Sequence, residues 1–163
     1  MSDKNFELPV YGVGPIYVGI IIALTIFGFF LSGMDIFKSG SIAILKMPFM
    51  ILGIILILFG IYLWISSALG SNLQENIKED KLVTTGIYAY VRNPIYSAFL
   101  FGCTGFILFM NNLFLLVFPV VYWALLAIFM KNTEEKWLYE KFGNEYLEYC
   151  DKVNRTIPWF KRK

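Results

Sequence analysis

The sequence from Asn93 to Met130, NPIYSAFLFGCTGFILFMNNLFLLVFPVVYWALLAIFM, contains no charged residue. It is far longer than the ~20 apolar residues that one helix needs to cross a hydrocarbon core. Asn111 and Asn112 divide it, and such a polar pair between apolar runs favours a turn. The stretch therefore predicts a tight helical hairpin whose arms run from Ile95 to Met110 and from Leu113 to Met130.

Two further uncharged stretches precede this hairpin and predict membrane spans from Pro15 to Ser32 and from Met47 to Leu69. The composition agrees, because 58% hydrophobic and 18% aromatic residues exceed the average of soluble proteins. We predict an all-α integral membrane protein with about four transmembrane helices. Residues 1–72 of this single domain would hold the first two, and residues 73–163 the hairpin and the polar motifs.

A hairpin returns the chain to the face from which it started. The polar residues before it, from Tyr88 to Pro94, should therefore lie near the polar residues after it, from Asn132 to Lys136. Pro119 falls within the second arm, where its missing N–H and its ring predict a kink or a locally broken hydrogen-bond ladder.

The chain beyond the hairpin has apolar residues at helical spacing with charges between them. We expect one amphipathic tail helix formed by Leu138, Phe142, Tyr146, Tyr149 and Val153. Most Lys and Arg residues fall in the tail and in the segment before the hairpin, on the side of both termini. The positive-inside rule therefore predicts a multi-pass protein with cytoplasmic N- and C-termini.

The composition excludes several kinds of chemistry. The sequence has no histidine, which rules out a histidine base and a histidine-ligated zinc. Its two cysteines, Cys103 and Cys150, lack metal-ligand spacing, so we expect no metal site. A net charge of +2 is too small to indicate a nucleic-acid partner, and basic residues beside a membrane contact lipid headgroups.

Two polar motifs flank the hairpin, and each has a plain structural interpretation. The segment before it could be a membrane-entry loop in which tyrosines form the aromatic belt and Arg92 reaches lipid phosphate. In Thr133-Glu134-Glu135, acids in a first helical turn are favoured by the helix dipole alone. Brought together by the hairpin, however, two carboxylates facing an arginine indicate a pocket for a zwitterionic or cationic ligand.

The order of these motifs resembles that of the isoprenylcysteine carboxyl methyltransferase and phospholipid methyltransferase superfamily of membrane enzymes. The resemblance covers about Gln74 to Phe160 and rests on LVTTGIY at 82–88, VRNPIY at 91–96, Glu134-Glu135, FGNEYLEY at 142–149, and Val153 with Arg155 and Ile157-Pro158. The family usually has histidine where this chain has Asn93. Asparagine can form hydrogen bonds but cannot titrate near neutral pH.

The resemblance implies a methyltransferase that uses S-adenosyl-L-methionine and a lipophilic acceptor arriving from the bilayer. It implies catalytic roles for Arg92, Asn93 and Glu134. It implies cofactor contacts for Gln74, Leu82, Val83, Gly86, Tyr88, Arg92, Asn93, Pro94, Tyr96, Glu134, Glu135, Tyr146 and Tyr149. The acceptor group, whether carboxylate, thiol or amine, stays open, as does the oligomeric state.

Two other functions fit part of the pattern. The tail Tyr149-Cys150, Arg155 and Ile157-Pro158 is also similar to that of membrane sterol and steroid reductases, which use NADPH. In those reductases the tail occurs together with Asn-Tyr after His-Pro and with a segment rich in Arg and Asp. In this chain Pro94 is followed by Ile95-Tyr96, and the later segment is Glu134-Glu135. A non-enzymatic membrane adaptor or lipid-binding protein would explain the composition equally well.

Overall fold

A computed structural model describes residues 12–70 and 81–159 of the protein. Within those ranges it is helical. The helices are α1 (Gly14–Ser32), α2 (Lys46–Gly70), α3 (Pro94–Phe109), α4 (Val117–Asn132), α5 (Glu134–Phe142) and α6 (Asn144–Lys152). Short 3₁₀ turns occur at Asp35–Gly40, Ala43–Leu45, Gly86–Ala89 and Leu113–Leu116.

Three helical stretches are long and apolar enough to cross a membrane, namely Gly14–Ser32, Ala43–Leu69 and Leu113–Phe142. Pro94–Phe109 is a shorter apolar helix. Many large apolar side chains on these helices face outwards, as expected where lipid replaces water as the solvent. The predicted all-α integral membrane class, with the helical hairpin, is confirmed.

The hairpin turn follows from the chemistry of its two asparagines. Asn111 has φ +46°, a left-handed conformation that asparagine tolerates better than most residues. The Asn112 side chain accepts a hydrogen bond from the Phe114 N–H at 3.0 Å and so caps the next 3₁₀ turn. Asn112 Nδ2 also donates to the Phe37 carbonyl at 2.7 Å, which ties the hairpin tip to the α1–α2 connection.

Pro119 does not interrupt the second arm in the way that the sequence predicts. It is the third residue of α4, where the N–H of an α-helix is not needed for its own ladder. The change of pitch occurs just before it, where the 3₁₀ turn Leu113–Leu116 passes into α4. The expected kink is therefore replaced by a helix start.

Helices α2 and α3 pack closely through glycines. A Cβ atom on Gly60 would lie 2.6 Å from the Ala98 carbonyl oxygen, and one on Gly105 would lie 2.6 Å from the Gly53 carbonyl oxygen. Such approach of two backbones is typical of membrane helices, where packing rather than the hydrophobic effect holds helices together. It fixes α3, and with it the residues just before α3, against the first half of the chain.

The tail differs from the single amphipathic helix predicted above. Gly143, with φ +56° and ψ −126°, breaks it into α5 and α6. The predicted apolar residues still share one side, since Leu138 and Phe142 pack against a buried cluster of Tyr146, Tyr149 and Val153. The break turns α6 back towards the segment that precedes α3.

Candidate functional site at the hairpin mouth

The polar motifs on either side of the hairpin meet at one end of the helix bundle. Arg92 lies just before α3, and Glu135 lies in the first turn of α5. Arg92 Nη1 is 3.3 Å from Glu135 Oε1. Both side chains are largely buried, with 10% and 15% of their surface exposed. We call this end of the bundle the hairpin mouth.

A second arginine completes the cluster. Arg155 donates from Nε to Glu135 Oε1 at 2.6 Å and from Nη2 to Glu135 Oε2 at 2.8 Å. Its hydrogen bonds to that carboxylate raise the pKa of Arg155 above its usual value. Two guanidinium groups thus share one carboxylate. Arg92 Nε is buried and has no hydrogen-bond partner among the described residues, so it can still donate to an anion.

Glu134 points elsewhere, although it is adjacent to Glu135. Its Oε1 accepts hydrogen bonds from the Tyr96 hydroxyl at 2.7 Å and from the Val13 N–H at 3.1 Å. Successive side chains on a helix diverge by about 100°. One glutamate therefore faces the start of α1, and only the other faces the arginines.

The chain after α6 lies along the start of α3. We call residues 153–159 the carboxyl-terminal strap. Three consecutive carbonyl oxygens of the strap accept hydrogen bonds from this region. The Asn154 oxygen accepts one from the Arg92 N–H at 2.9 Å, and the Arg155 oxygen accepts one from Asn93 Nδ2 at 3.0 Å. The Thr156 oxygen accepts one from Ser97 Oγ at 2.5 Å. The Trp159 N–H donates to the Tyr90 carbonyl at 3.3 Å.

Buried tyrosines form one wall of the mouth. The Tyr146 hydroxyl receives a hydrogen bond from Arg92 Nη1 at 3.4 Å, and the Tyr149 hydroxyl donates to the Tyr88 carbonyl at 2.6 Å. The Tyr88 hydroxyl bonds to Ser67 of α2 at 3.0 Å. Burial raises the pKa of all three tyrosines above the usual value, so their hydroxyls stay protonated at neutral pH.

Cys150 is a half-buried thiol within the same wall, in contact with Arg92 Nη1. Burial raises the pKa of Cys150, and the positive charge of Arg92 opposes that rise without cancelling it. At neutral pH the thiol is therefore protonated and a weak nucleophile.

The remaining residues that the resemblance implies lie around this mouth. Leu82 packs against the cluster of Tyr146, Tyr149 and Val153, and Val83 follows it, partly buried. Gly86, with φ +60°, begins the 3₁₀ turn that carries Tyr88, and Pro94 is the buried first residue of α3. Gln74 lies outside the described residues.

Sequence reasoning did not single out Arg155 as a site residue, although it belongs to the tail motif. Its role depends on the strap folding back, and no periodic pattern marks that. Cys150 and Ser97 were likewise not selected, since a lone cysteine and a serine carry no spacing signal.

The fold and the mouth define a polytopic helical membrane protein with an arginine–glutamate site at one end of a helical hairpin. The chain matches the family model described as "Phospholipid methyltransferase" over residues 48–145, more than half its length, and belongs to that family. The match includes Arg92, Asn93, Glu134 and Glu135.

Three curated relatives are each named Protein-S-isoprenylcysteine O-methyltransferase. The chain is 33% identical over 117 residues to that of Saccharomyces cerevisiae, covering 67% of this chain and 48% of the relative. It is 32% identical over 119 residues to that of Xenopus laevis, covering 68% and 41%. It is 39% identical over 82 residues to that of Schizosaccharomyces pombe, covering 50% and 34%. The chain thus spans less than half the length of these relatives.

Proposed function

We propose that this protein is a membrane methyltransferase that moves a methyl group from S-adenosyl-L-methionine to a lipophilic acceptor. The observation that carries the proposal is the cluster of largely buried Arg92 and Glu135 with partly exposed Arg155, in which Arg92 Nε lacks a partner within the described ranges. Membership of the phospholipid methyltransferase family supports a methyl donor. Residues 73–163 would form the donor-binding half of the single domain.

The groups at the mouth fit the polar parts of this donor. Arg92 Nε would meet the donor carboxylate, because a buried guanidinium N–H without an acceptor favours an anion. Glu134 or Glu135 would meet the amino group or the ribose hydroxyls. Tyr88, Tyr146 and Tyr149 offer aromatic faces for a cation or an adenine ring.

When bound, S-adenosyl-L-methionine supplies a methyl carbon that its sulfonium makes electrophilic. The protein then has to align the acceptor and exclude water, since the carbon needs no further activation. Asn93 cannot accept a proton near neutral pH. A chain without histidine is therefore suited to an acceptor that is already a nucleophile when it arrives.

We infer that this acceptor is a carboxylate on a lipophilic group. The cluster has two positive charges against one negative, and the donor's own carboxylate would balance the difference. The acceptor would then meet the positive sulfonium of the donor, which attracts a carboxylate and repels an ammonium. The relatives are named for O-methylation of an isoprenylcysteine, which agrees with this chemistry.

The mouth would face the cytoplasm. The start of α1 and the end of α4 lie at this end, as the contact between Val13 and Glu134 requires. Most Lys and Arg residues follow α4 or precede α3, and the positive-inside rule assigns them to the cytoplasmic side. Labelling of single introduced cysteines in intact cells with a membrane-impermeant maleimide would test this orientation.

Binding and transfer can be measured on the full chain in lipid nanodiscs. We expect S-adenosylhomocysteine to bind in calorimetry, and Arg92→Ala to abolish that binding. Lys38→Ala is the matched control, because Lys38 pairs with Asp35 three residues earlier in an exposed turn. Radiolabelled methyl should pass to N-acetyl-S-farnesylcysteine but not to its methyl ester, to phosphatidylethanolamine or to dodecanethiol.

Two results would overturn the proposal. Binding of NADPH without binding of S-adenosylhomocysteine would indicate a reductase. Failure to bind either ligand would indicate a membrane adaptor.

A further inference from the structure

We propose that Asn93 is a positioning residue that acts through Arg155. In this proposal the Asn93 amide holds the Arg155 backbone, so that the Arg155 side chain keeps Glu135 clamped and Arg92 Nε stays free for the donor. The link to donor binding rests on the proposed function. The link between Asn93 and the strap does not.

The first argument is that the Asn93 side chain does not cap the helix that follows it. It is the N-cap residue of α3, where an asparagine side chain usually accepts a hydrogen bond from the first turn of the helix. Asn93 makes no such bond. Its Nδ2 instead donates to the Arg155 carbonyl at 3.0 Å, across 62 residues of sequence.

The second argument is the place of that bond within the strap. The bond from Asn93 lies between two others. The Arg92 N–H donates to the carbonyl of Asn154, the preceding residue of the strap, and Ser97 Oγ donates to that of Thr156, the following one. The strap is otherwise irregular backbone, so these bonds help to fix its path, together with the bond from the Trp159 N–H to the Tyr90 carbonyl. Of the three, only the bond from Asn93 reaches the residue whose side chain enters the site.

The third argument is that Arg155 is held from both ends. Its carbonyl is fixed by Asn93, and its guanidinium forms two hydrogen bonds to Glu135. A bidentate arginine–carboxylate pair depends on the direction of both planes, so a shift of the Arg155 backbone would weaken both bonds together. Glu135 could then turn towards Arg92 and accept a hydrogen bond from Arg92 Nε, which would no longer be free for the donor's carboxylate.

A double-mutant cycle tests this coupling. The dissociation constant of S-adenosylhomocysteine would be measured for wild type, Asn93→Ala, Arg155→Ala and the double variant. We expect Asn93→Ala alone to weaken binding roughly tenfold, the effect of one lost hydrogen bond. In the Arg155→Ala background we expect no further weakening. If the double variant instead raised the dissociation constant by the product of the two single effects, the two residues would act independently and the proposal would be overturned.

Hydrogen exchange of the donor-free protein gives a readout that does not require the proposed function. Asn93→Ala should speed exchange at the Arg92 and Trp159 amides, which bond across the strap. Thr104→Ala is the matched control, since it removes a side-chain bond to the Leu100 carbonyl within α3 and leaves the strap alone. Unchanged exchange in Asn93→Ala would overturn the positioning role, even in a protein that binds no methyl donor.

Discussion

Glu135 and Arg155 form a two-pronged ion pair in which each carboxylate oxygen accepts one guanidinium N–H, at 2.6 and 2.8 Å. Arg92 approaches the same carboxylate, with its Nη1 3.3 Å from Oε1. Glu135 therefore sets the position of both arginines. The geometry also requires arginine at 155, because a lysine ammonium cannot place two parallel donors.

Arg155→Lys should therefore weaken donor binding although the charge is kept. We expect the dissociation constant of S-adenosylhomocysteine to rise roughly tenfold, as for loss of one charge-assisted hydrogen bond. Calorimetry in nanodiscs is the measurement. An unchanged constant would mean that only the charge of residue 155 matters.

Glu135→Gln should destabilise the fold. It leaves two arginines near a neutral amide, and breaking a buried ion pair costs about 3 kcal/mol. We expect a lower denaturation temperature in detergent than for wild type. Glu148→Gln, at an exposed position on α6, is the control and should leave that temperature unchanged within error. Equal temperatures for the two variants would contradict the structural role of Glu135.

Cys150 should be slow to alkylate at neutral pH. Burial raises the pKa of its thiol, so the reactive thiolate is scarce until the pH rises above the usual thiol value. In a Cys103→Ser background Cys150 is the single cysteine, and iodoacetamide labelling at pH 7 should be slower than after denaturation in guanidinium chloride at the same pH. Labelling that is equally fast in both states would contradict this. A protonated thiol also protects the site from methylating itself.

The hairpin could be predicted because its signals are local. The length of the uncharged stretch and the pair Asn111-Asn112 together fix two arms and a turn. The break of the tail at Gly143 was missed, since the apolar period from Leu138 to Val153 runs across the glycine without a gap. Only the positive φ of Gly143 reveals the break.

The site was predictable to the level of segments but not of side chains. Folding the hairpin was enough to bring Arg92 near the glutamate pair. Which glutamate faces the arginines depends on the angle at which α5 starts, and that angle is set by packing. The strap depends on bonds to backbone carbonyls, which are the same in every residue and leave no trace in the sequence.

Asn93→His should add a titrating group to the site, because asparagine does not titrate near neutral pH and an imidazole does. A neutral imidazole can donate one N–H to the Arg155 carbonyl, so donor binding should persist above pH 7. Protonation would add a positive charge beside Arg92 and Arg155, which lowers the imidazole pKa below its usual value of about 6.5. The imidazolium still donates an N–H to the Arg155 carbonyl and adds positive charge near the donor's carboxylate, so donor affinity should rise as the pH drops below about 6 in the variant. A flat profile for the variant would show that residue 93 does not contact the cluster.

The glycine contacts between α2 and α3 make a prediction about the frame that carries the mouth. A Cβ on Gly105 would meet the Gly53 carbonyl oxygen at 2.6 Å and Ile57 Cγ1 at 2.7 Å, whereas one on Gly102, a turn earlier on α3, would meet nothing within 4 Å.

Gly105→Ala must push α2 away, because a backbone oxygen cannot rotate aside as a side chain can. We expect it to lower stability by about 1–3 kcal/mol, the usual cost of overpacking. Gly102→Ala should be neutral or slightly stabilising, since alanine favours the helix. Thermal denaturation of both variants in the same detergent is the measurement.

If α2 moves, Ser67 and the Tyr88 hydroxyl that it bonds move with it, so Gly105→Ala should also weaken donor binding and Gly102→Ala should not. Equal stability of the two variants would show that α2 and α3 are not in close contact at Gly105.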